Sequence, residues 1–231
     1  MTVAAPQTDH TGAGYDHDAA ARSALYALLA RAFDNPDEEF HAAAADGSLT
    51  SEVETYLDRS ALSVEVPALR TDQTHEALCG TYNGLFTLGH AEYTDRTDGS
   101  LDSEGPPVPL YESKYRDASW DDVNQDLARA YDHFGVSVSS DRRDHHDNVR
   151  LELEFAAYLA RREAAGEDSA GKARRDFLDR HLDPFAVALA ERLDEVNGGF
   201  YADVAAVLED IVEKDLSDLR DRYGGDSHGE Q

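Results

Sequence analysis

The chain has 231 residues, 41% of them hydrophobic and 30% charged, which is enough apolar material for one globular domain and too much for a chain disordered throughout. Asp and Glu outnumber Lys and Arg by 48 to 21, a formal charge of -27, so nonspecific binding to nucleic acid, which needs a basic footprint, is excluded. The only lysines are Lys114, Lys172 and Lys214, and acidic runs such as Asp34 to Glu39 and Asp121 to Asp126 recur; such a surface repels itself unless salt screens it, and a salt-rich cytoplasm is expected.

In chain order, residues 1–16 read as a flexible tail without the basic region and apolar run of a secretory signal, so the protein is expected to stay in the cytoplasm. Leu25, Leu28, Leu29, Ala32 and Phe33 make the apolar stripe of a first helix. Asn35-Pro36-Asp37-Glu38-Glu39 predicts the start of a second, with Asn35 as N-cap and Pro36 at the first helical position. Leu78, Cys79, Tyr82, Leu85 and Phe86 form the next stripe. Residues 89–118 lack helical periodicity, and their end, Pro106 to Tyr115, combines stiff prolines with two tyrosines, which predicts a docked binding segment. Ser119-x-x-Asp122 opens a helix carrying Val123, Leu127, Ala130, Tyr131 and Phe134. Leu151, Phe155, Tyr158 and Leu159 mark the helix expected to be central. Asp183-Pro184 starts another, with Phe185, Leu189 and Leu193, that ends at Gly198-Gly199; Phe200, Val204, Val207, Leu208 and Ile211 define the last. No stretch shows several alternating strands with tight turns, and none approaches the roughly 18 apolar residues of a membrane span. The expected fold is all-α, a single bundle of roughly eight helices over 17–223 with one long Pro/Gly-containing loop, and 224–231 form a second flexible tail.

Cys79 is the sole cysteine, which leaves no disulfide framework and no cysteine-rich zinc site. The densest polar cluster, Asp141 to Asn148 with His145 and His146, offers imidazole and carboxylate, yet neighbours on one loop do not converge on an ion; a helix cap by Asp or Asn is the expected role. Glu38-x-x-His41 is half of a di-iron bundle pattern whose second half is missing. Glu152 and Glu154, at i and i+2, point to different faces of a helix, so at most one faces a pocket. Glu154, beside Phe155, is expected to be partly buried and to hold a loop by hydrogen bonds. No phosphate-binding glycine loop and no Gly-x-Ser-x-Gly elbow occurs. No catalytic residue, metal or cofactor is expected. An acidic bundle with a Pro/Tyr segment suits a basic, apolar peptide, carboxylates steering the positive end and aromatic surface packing the rest.

Four stretches resemble a known family, the TorD/DmsD/NarJ-type redox-enzyme maturation chaperones. Leu25 to Phe33 followed by Pro36-Asp37 resembles the family's first helix, and Tyr82-Asn83-Gly84-Leu85-Phe86 its Tyr-x-x-Leu-Phe. Pro109-Leu110-Tyr111-Glu112-Ser113-Lys114-Tyr115 is similar to Pro-x-x-Glu-Ser-Val-Tyr. Asp147-Asn148-Val149-Arg150-Leu151-Glu152-Leu153-Glu154-Phe155 is similar to Pro-Asp-His-x-x-x-Glu-Leu-Glu-Phe, in the form of the branch serving nitrate, selenate or dimethyl sulfide-type enzymes. The resemblance runs from Ala19 to Leu216. Asn148 stands where the family has histidine, His146 where it has proline, and Trp120 is the only tryptophan where several members present tryptophans at the pocket.

The resemblance implies an all-helical cytoplasmic chaperone, not an enzyme. It would bind the N-terminal twin-arginine leader and the apo catalytic subunit of a molybdopterin-dependent oxidoreductase and assist cofactor insertion before export, as a monomer or dimer. The candidate peptide-binding residues are Tyr82, Phe86, Pro109, Tyr111, Glu112, Ser113, Tyr115, Asp147, Asn148, Glu152 and Glu154. Of these, Glu112 and Asp147 are expected to face guanidinium groups, and Tyr111, Tyr115 and Phe86 to cover the apolar part. A general helical adaptor and a metal-dependent hydrolase are the alternatives from other classes.

Overall fold

The computed structural model describes residues 14–88, 91–92, 102–103, 105–138 and 145–224, and within them short polar side chains start most of the helices. Asp16 accepts from the amides of Asp18 and Ala19 and opens α1 (His17–Ala32). Asp37 opens α2 (Glu38–Asp46), and Gly47, at φ 85°, turns the chain into α3 (Ser48–Ser60). Thr74 opens α4 (His75–Phe86). Ser119 opens α5 (Trp120–His133), its Oγ accepting from Asp122 N, which is one half of the expected box, while the Asp122 carboxylate accepts from the Ser119 hydroxyl. Asn148 opens α6 (Val149–Ala164) by accepting from Arg150 N. After α7 (Asp168–Phe177) a π turn over Leu178–Leu182 leads without a break into α8 (Asp183–Glu195), and α9 (Phe200–Tyr223) closes an all-α bundle. The fold is the expected one. Two two-residue strands, β1 (Ala91–Glu92) and β2 (Asp102–Ser103), pair antiparallel within the long loop, a ribbon that the sequence pattern did not predict.

Two boundaries differ from expectation. Asn35 does not cap α2: the Asp37 carboxylate reaches Phe40 N at 2.8 Å, while Pro36 lies outside the helix with its carbonyl 2.9 Å from His75 Nε2. Asp16, the last residue of the expected first tail, is tied into the bundle; its amide donates to Ala164 O at 3.0 Å and its carboxylate pairs with Arg222 at 3.0 Å. Residues 1–13 and 225–231, most of both expected tails, lie outside the described residues.

The core forms around α6, whose buried positions run round the whole helix rather than along one stripe. Leu153 and Leu159 are fully buried and Phe155 nearly so, each contributing about 1.5–3 kcal/mol relative to an exposed side chain. The most extensive contact of α6 is with α1; α3 also packs on α1, and α8 packs on α9. A buried ionic hub joins four helices. Asp215 on α9 takes Arg22 of α1 at 2.8 Å, the Tyr26 hydroxyl at 2.7 Å and Arg174 of α7, while Arg174 also pairs with Glu163 of α6 at 2.5 Å. Arg174 and Asp215 are both fully buried. At the end of α8 the Gly198 amide donates to Leu193 O at 2.8 Å, and a Cβ there would stand 2.7 Å from the Leu193 side chain, so the close approach requires glycine.

Candidate functional site

The second half of the long loop is docked, as its prolines and tyrosines predict. Val108 N donates to Leu85 O at the end of α4, and Arg192 of α8 holds Pro107 O, both within 2.9 Å. Further on, Tyr111 forms an isolated antiparallel bridge with Asn148: Val149 N donates to Leu110 O at 2.9 Å and Glu112 N to Asp147 O at 2.8 Å. Val108 and Leu110 are buried in the core, and the Tyr115 hydroxyl returns to Pro109 O at 2.8 Å. The segment is thereby stitched to α4, α8 and the entry of α6.

Its polar side chains turn inward. Asp147 is fully buried and accepts from the Ser113 amide and, at 2.6 Å, from the Ser113 hydroxyl. Glu112 is fully buried too; it takes Arg116 Nη1 at 2.7 Å and faces His181 Nδ1 at 3.0 Å. Nε2 of the same imidazole lies 3.2 Å from Asp126 of α5. A neutral imidazole can donate to only one of these carboxylates, whereas donating to both takes the imidazolium. The π turn sets His181 here, and π turns recur at functional sites. It is followed by Pro184, which has no amide for the Arg180 carbonyl; the Arg116 guanidinium donates to that carbonyl instead.

Behind this pair sits Glu152, fully buried, with neither carboxyl oxygen meeting a donor. Burial first, then the adjacent Glu112 and Asp147, push its carboxyl well above the usual range, which favours the neutral carboxylic acid there. Burial likewise raises the Tyr131 phenol, which donates to His146 O at 3.0 Å.

Among the candidates, then, Tyr111, Glu112, Ser113, Tyr115, Asp147, Asn148 and Glu152 are brought together, and Pro109 lies at the edge of the same junction. Tyr82 and Phe86 are not part of it. Phe86 is buried against Phe33 and Tyr201, and the Tyr82 hydroxyl donates to Phe33 O. Expected orientation and structure part company at three residues. Glu112 and Asp147 face the protein's own Arg116, His181 and Ser113, because the docked segment brings its own donors inside. Glu154, expected to be the partly buried acid, is the exposed one, 3.6 Å from Arg150, and Glu152 takes the interior. Glu154 instead rims a cavity of about 400 Å³ between α5 and α6, lined also by Leu151, Phe155, Tyr131, Val136 and Arg161.

Sequence reasoning missed His181, whose neighbourhood carries no spacing signal, and Trp120. The latter is 47% exposed at the first turn of α5. His145 stands edge-on to it at 5.1 Å, and Tyr111 lies 6.0 Å beyond His145. Of the polar cluster Asp141 to Asn148, residues 141–144 lie outside the described residues. Among the described residues no group of three or more His, Cys, Asp or Glu side chains is placed to hold a metal ion, and no helix is long and apolar enough to cross a membrane.

Residues 46–191 match the profile of a family described as nitrate reductase delta subunit. The selenate reductase assembly chaperone protein of Thauera selenatis is 33% identical over 196 residues, 80% of this chain and 92% of that protein. The chlorate reductase assembly chaperone protein of Ideonella dechloratans is 33% identical over 154 residues, 64% of this chain and 72% of that one. The perchlorate reductase assembly chaperone protein of Dechloromonas aromatica is 28% identical over 201 residues, 84% of this chain and 86% of its own.

Proposed function

Because the chain belongs to the nitrate reductase delta subunit family, we propose that it is an assembly chaperone for the catalytic subunit of a molybdopterin-dependent oxidoreductase. The observation that carries the reading is similarity over nearly the whole length of a selenate reductase assembly chaperone, with chlorate and perchlorate counterparts beside it. The chain holds the apo subunit by its N-terminal leader in the cytoplasm, keeps it open for cofactor insertion, and carries out no turnover of its own.

The geometry supports a division of labour among the candidate residues. Glu112, Ser113, Asp147, Asn148 and Glu152 position the segment 105–118 and the start of α6, since their polar atoms are engaged or buried within the protein. Contact with the client falls to the surface above them, at Tyr111, and to the cavity rimmed by Glu154. That cavity is wide enough for one or two apolar side chains of an extended segment.

The test is affinity purification of the full chain from its salt-grown host in molar KCl, with mass spectrometry and molybdenum analysis of what is retained. The expected result is a molybdoenzyme catalytic subunit, free of molybdenum, whose metal content falls in a strain lacking the chaperone and returns on complementation. A catalytic subunit fully loaded in that strain overturns the reading.

A further inference from the structure

We infer that Trp120, His145 and Tyr111 form an aromatic subsite that takes an arginine side chain from the basic part of the client segment; this rests on the chaperone reading above. The three rings come from three stretches of chain: the docked segment, the first turn of α5 and the approach to α6. They are assembled at the surface, where Trp120 stays 47% exposed and His145 is exposed as well. An indole held half in water by an ordered helix start is unused contact area, and aromatic rings of this kind dominate interfaces when covered.

Charge selects the occupant. Asp117, Asp121 and Asp122 flank Trp120 in sequence and are all exposed, in a chain of net charge -27. The N-terminus of α5 opposes them with a partial positive charge of about +0.5, but the two acids of its own first turn outweigh that. At low salt an acidic peptide or a nucleic acid is therefore repelled and a cation attracted, and the effect fades as salt screens these exposed acids. The buried acids Glu112 and Asp147 are fully out of reach of solvent, so the aromatic faces are what a cation meets.

Salt then separates arginine from lysine. At 1 M the Debye length is about 3 Å, so an exposed point-charge pair is nearly silenced. A guanidinium is planar, weakly hydrated and stacks on aromatic faces, and the stacking survives screening; an ammonium offers little besides its charge. An acidic chaperone that works in molar salt gains discrimination from rings rather than from carboxylates.

Trp120 is the only tryptophan, so its emission reports this spot alone. The experiment titrates the full chain in 1 M KCl with three synthetic peptides, Arg-Arg, Lys-Lys or Gln-Gln, each followed by the same six apolar residues, reading heat and indole emission together. The Arg-Arg peptide is expected to bind about tenfold more tightly than Gln-Gln and about threefold more tightly than Lys-Lys, and to shift the emission with the midpoint seen in the heat. Trp120→Ala should lose about tenfold and Trp120→Phe at most about threefold, with far-ultraviolet circular dichroism unchanged because the ring is exposed. Binding of Arg-Arg with silent emission, and with Trp120→Ala equal to native, overturns the subsite and leaves the chaperone reading standing. No heat with any peptide also overturns the subsite, and client capture in the preceding experiment then decides the chaperone reading separately.

Discussion

Glu152 enters the interior beside two other acids, and its titration should show in the stability of the whole protein. Its carboxyl is raised in the folded state, chiefly by burial and then by Glu112 and Asp147. The folded protein therefore keeps a proton that the unfolded chain gives up near the ordinary glutamate range. The stability that this proton contributes is complete below that range and is lost as pH climbs toward the folded value. Thermal melts from pH 5 to pH 8 should fall for the native chain. In Glu152→Gln, which keeps the shape and never ionises, the decline should be smaller, with a gain at pH 8 of about 1–3 kcal/mol, a few degrees for a domain of this size. Parallel pH profiles for the two proteins would show that Glu152 is not the group responsible. The alternation Glu152-Leu153-Glu154 made it legible that only one acid goes inside. Which one was not legible, since both have apolar neighbours and the choice is made by the docked segment, a partner distant in sequence.

At the scale of elements, the segment 105–118 behaves as an added layer clipped on through Asp147. Asp147→Ala removes the acceptor for the Ser113 amide and hydroxyl and should cost about 1–3 kcal/mol locally. Hydrogen exchange followed by mass spectrometry should show faster exchange at Val108, Glu112 and Tyr115, whose amides are bonded in the native fold, while α1 and α9 keep their protection. Uniform deprotection of all helices would mean that the segment is not a separate unit. Helices with a full apolar stripe, such as α1, α5 and α9, were legible from spacing alone. α7 was not, because much of what it buries is Gly171 and Arg174 rather than a stripe. The cap of α2 was misread because Asn35 and Asp37 both suit the position, and the contact of Pro36 O with His75 decides between them.

The whole molecule carries a charge of -27 on a fold closed by buried pairs, and the two kinds of electrostatics respond differently to salt. Surface repulsion is screened as the Debye length falls from about 10 Å at 0.1 M to about 3 Å at 1 M, while the buried hub is screened far less. Circular dichroism against potassium chloride should show helicity and melting temperature rising from low salt to molar salt; full helicity and an unchanged melt at low salt would remove the salt-adapted reading. Asp215→Ala leaves Arg22 and Arg174 without their shared carboxylate and should cost about 3–5 kcal/mol, lowering the melt by about 10 °C even in molar salt. The hub also sets the order in which a newly made chain can close. Asp215 follows Arg22 by 193 residues and Arg174 by 41, so at roughly 5–20 residues per second the ribosome delivers it some seconds after the second guanidinium. Until then α1, α6 and α7 would have to bury two cations with only Glu163 to oppose them. A nascent chain arrested before α9 emerges is thus expected to stay open to proteases, and this client-holding protein must itself wait, unfinished, until α9 has been translated.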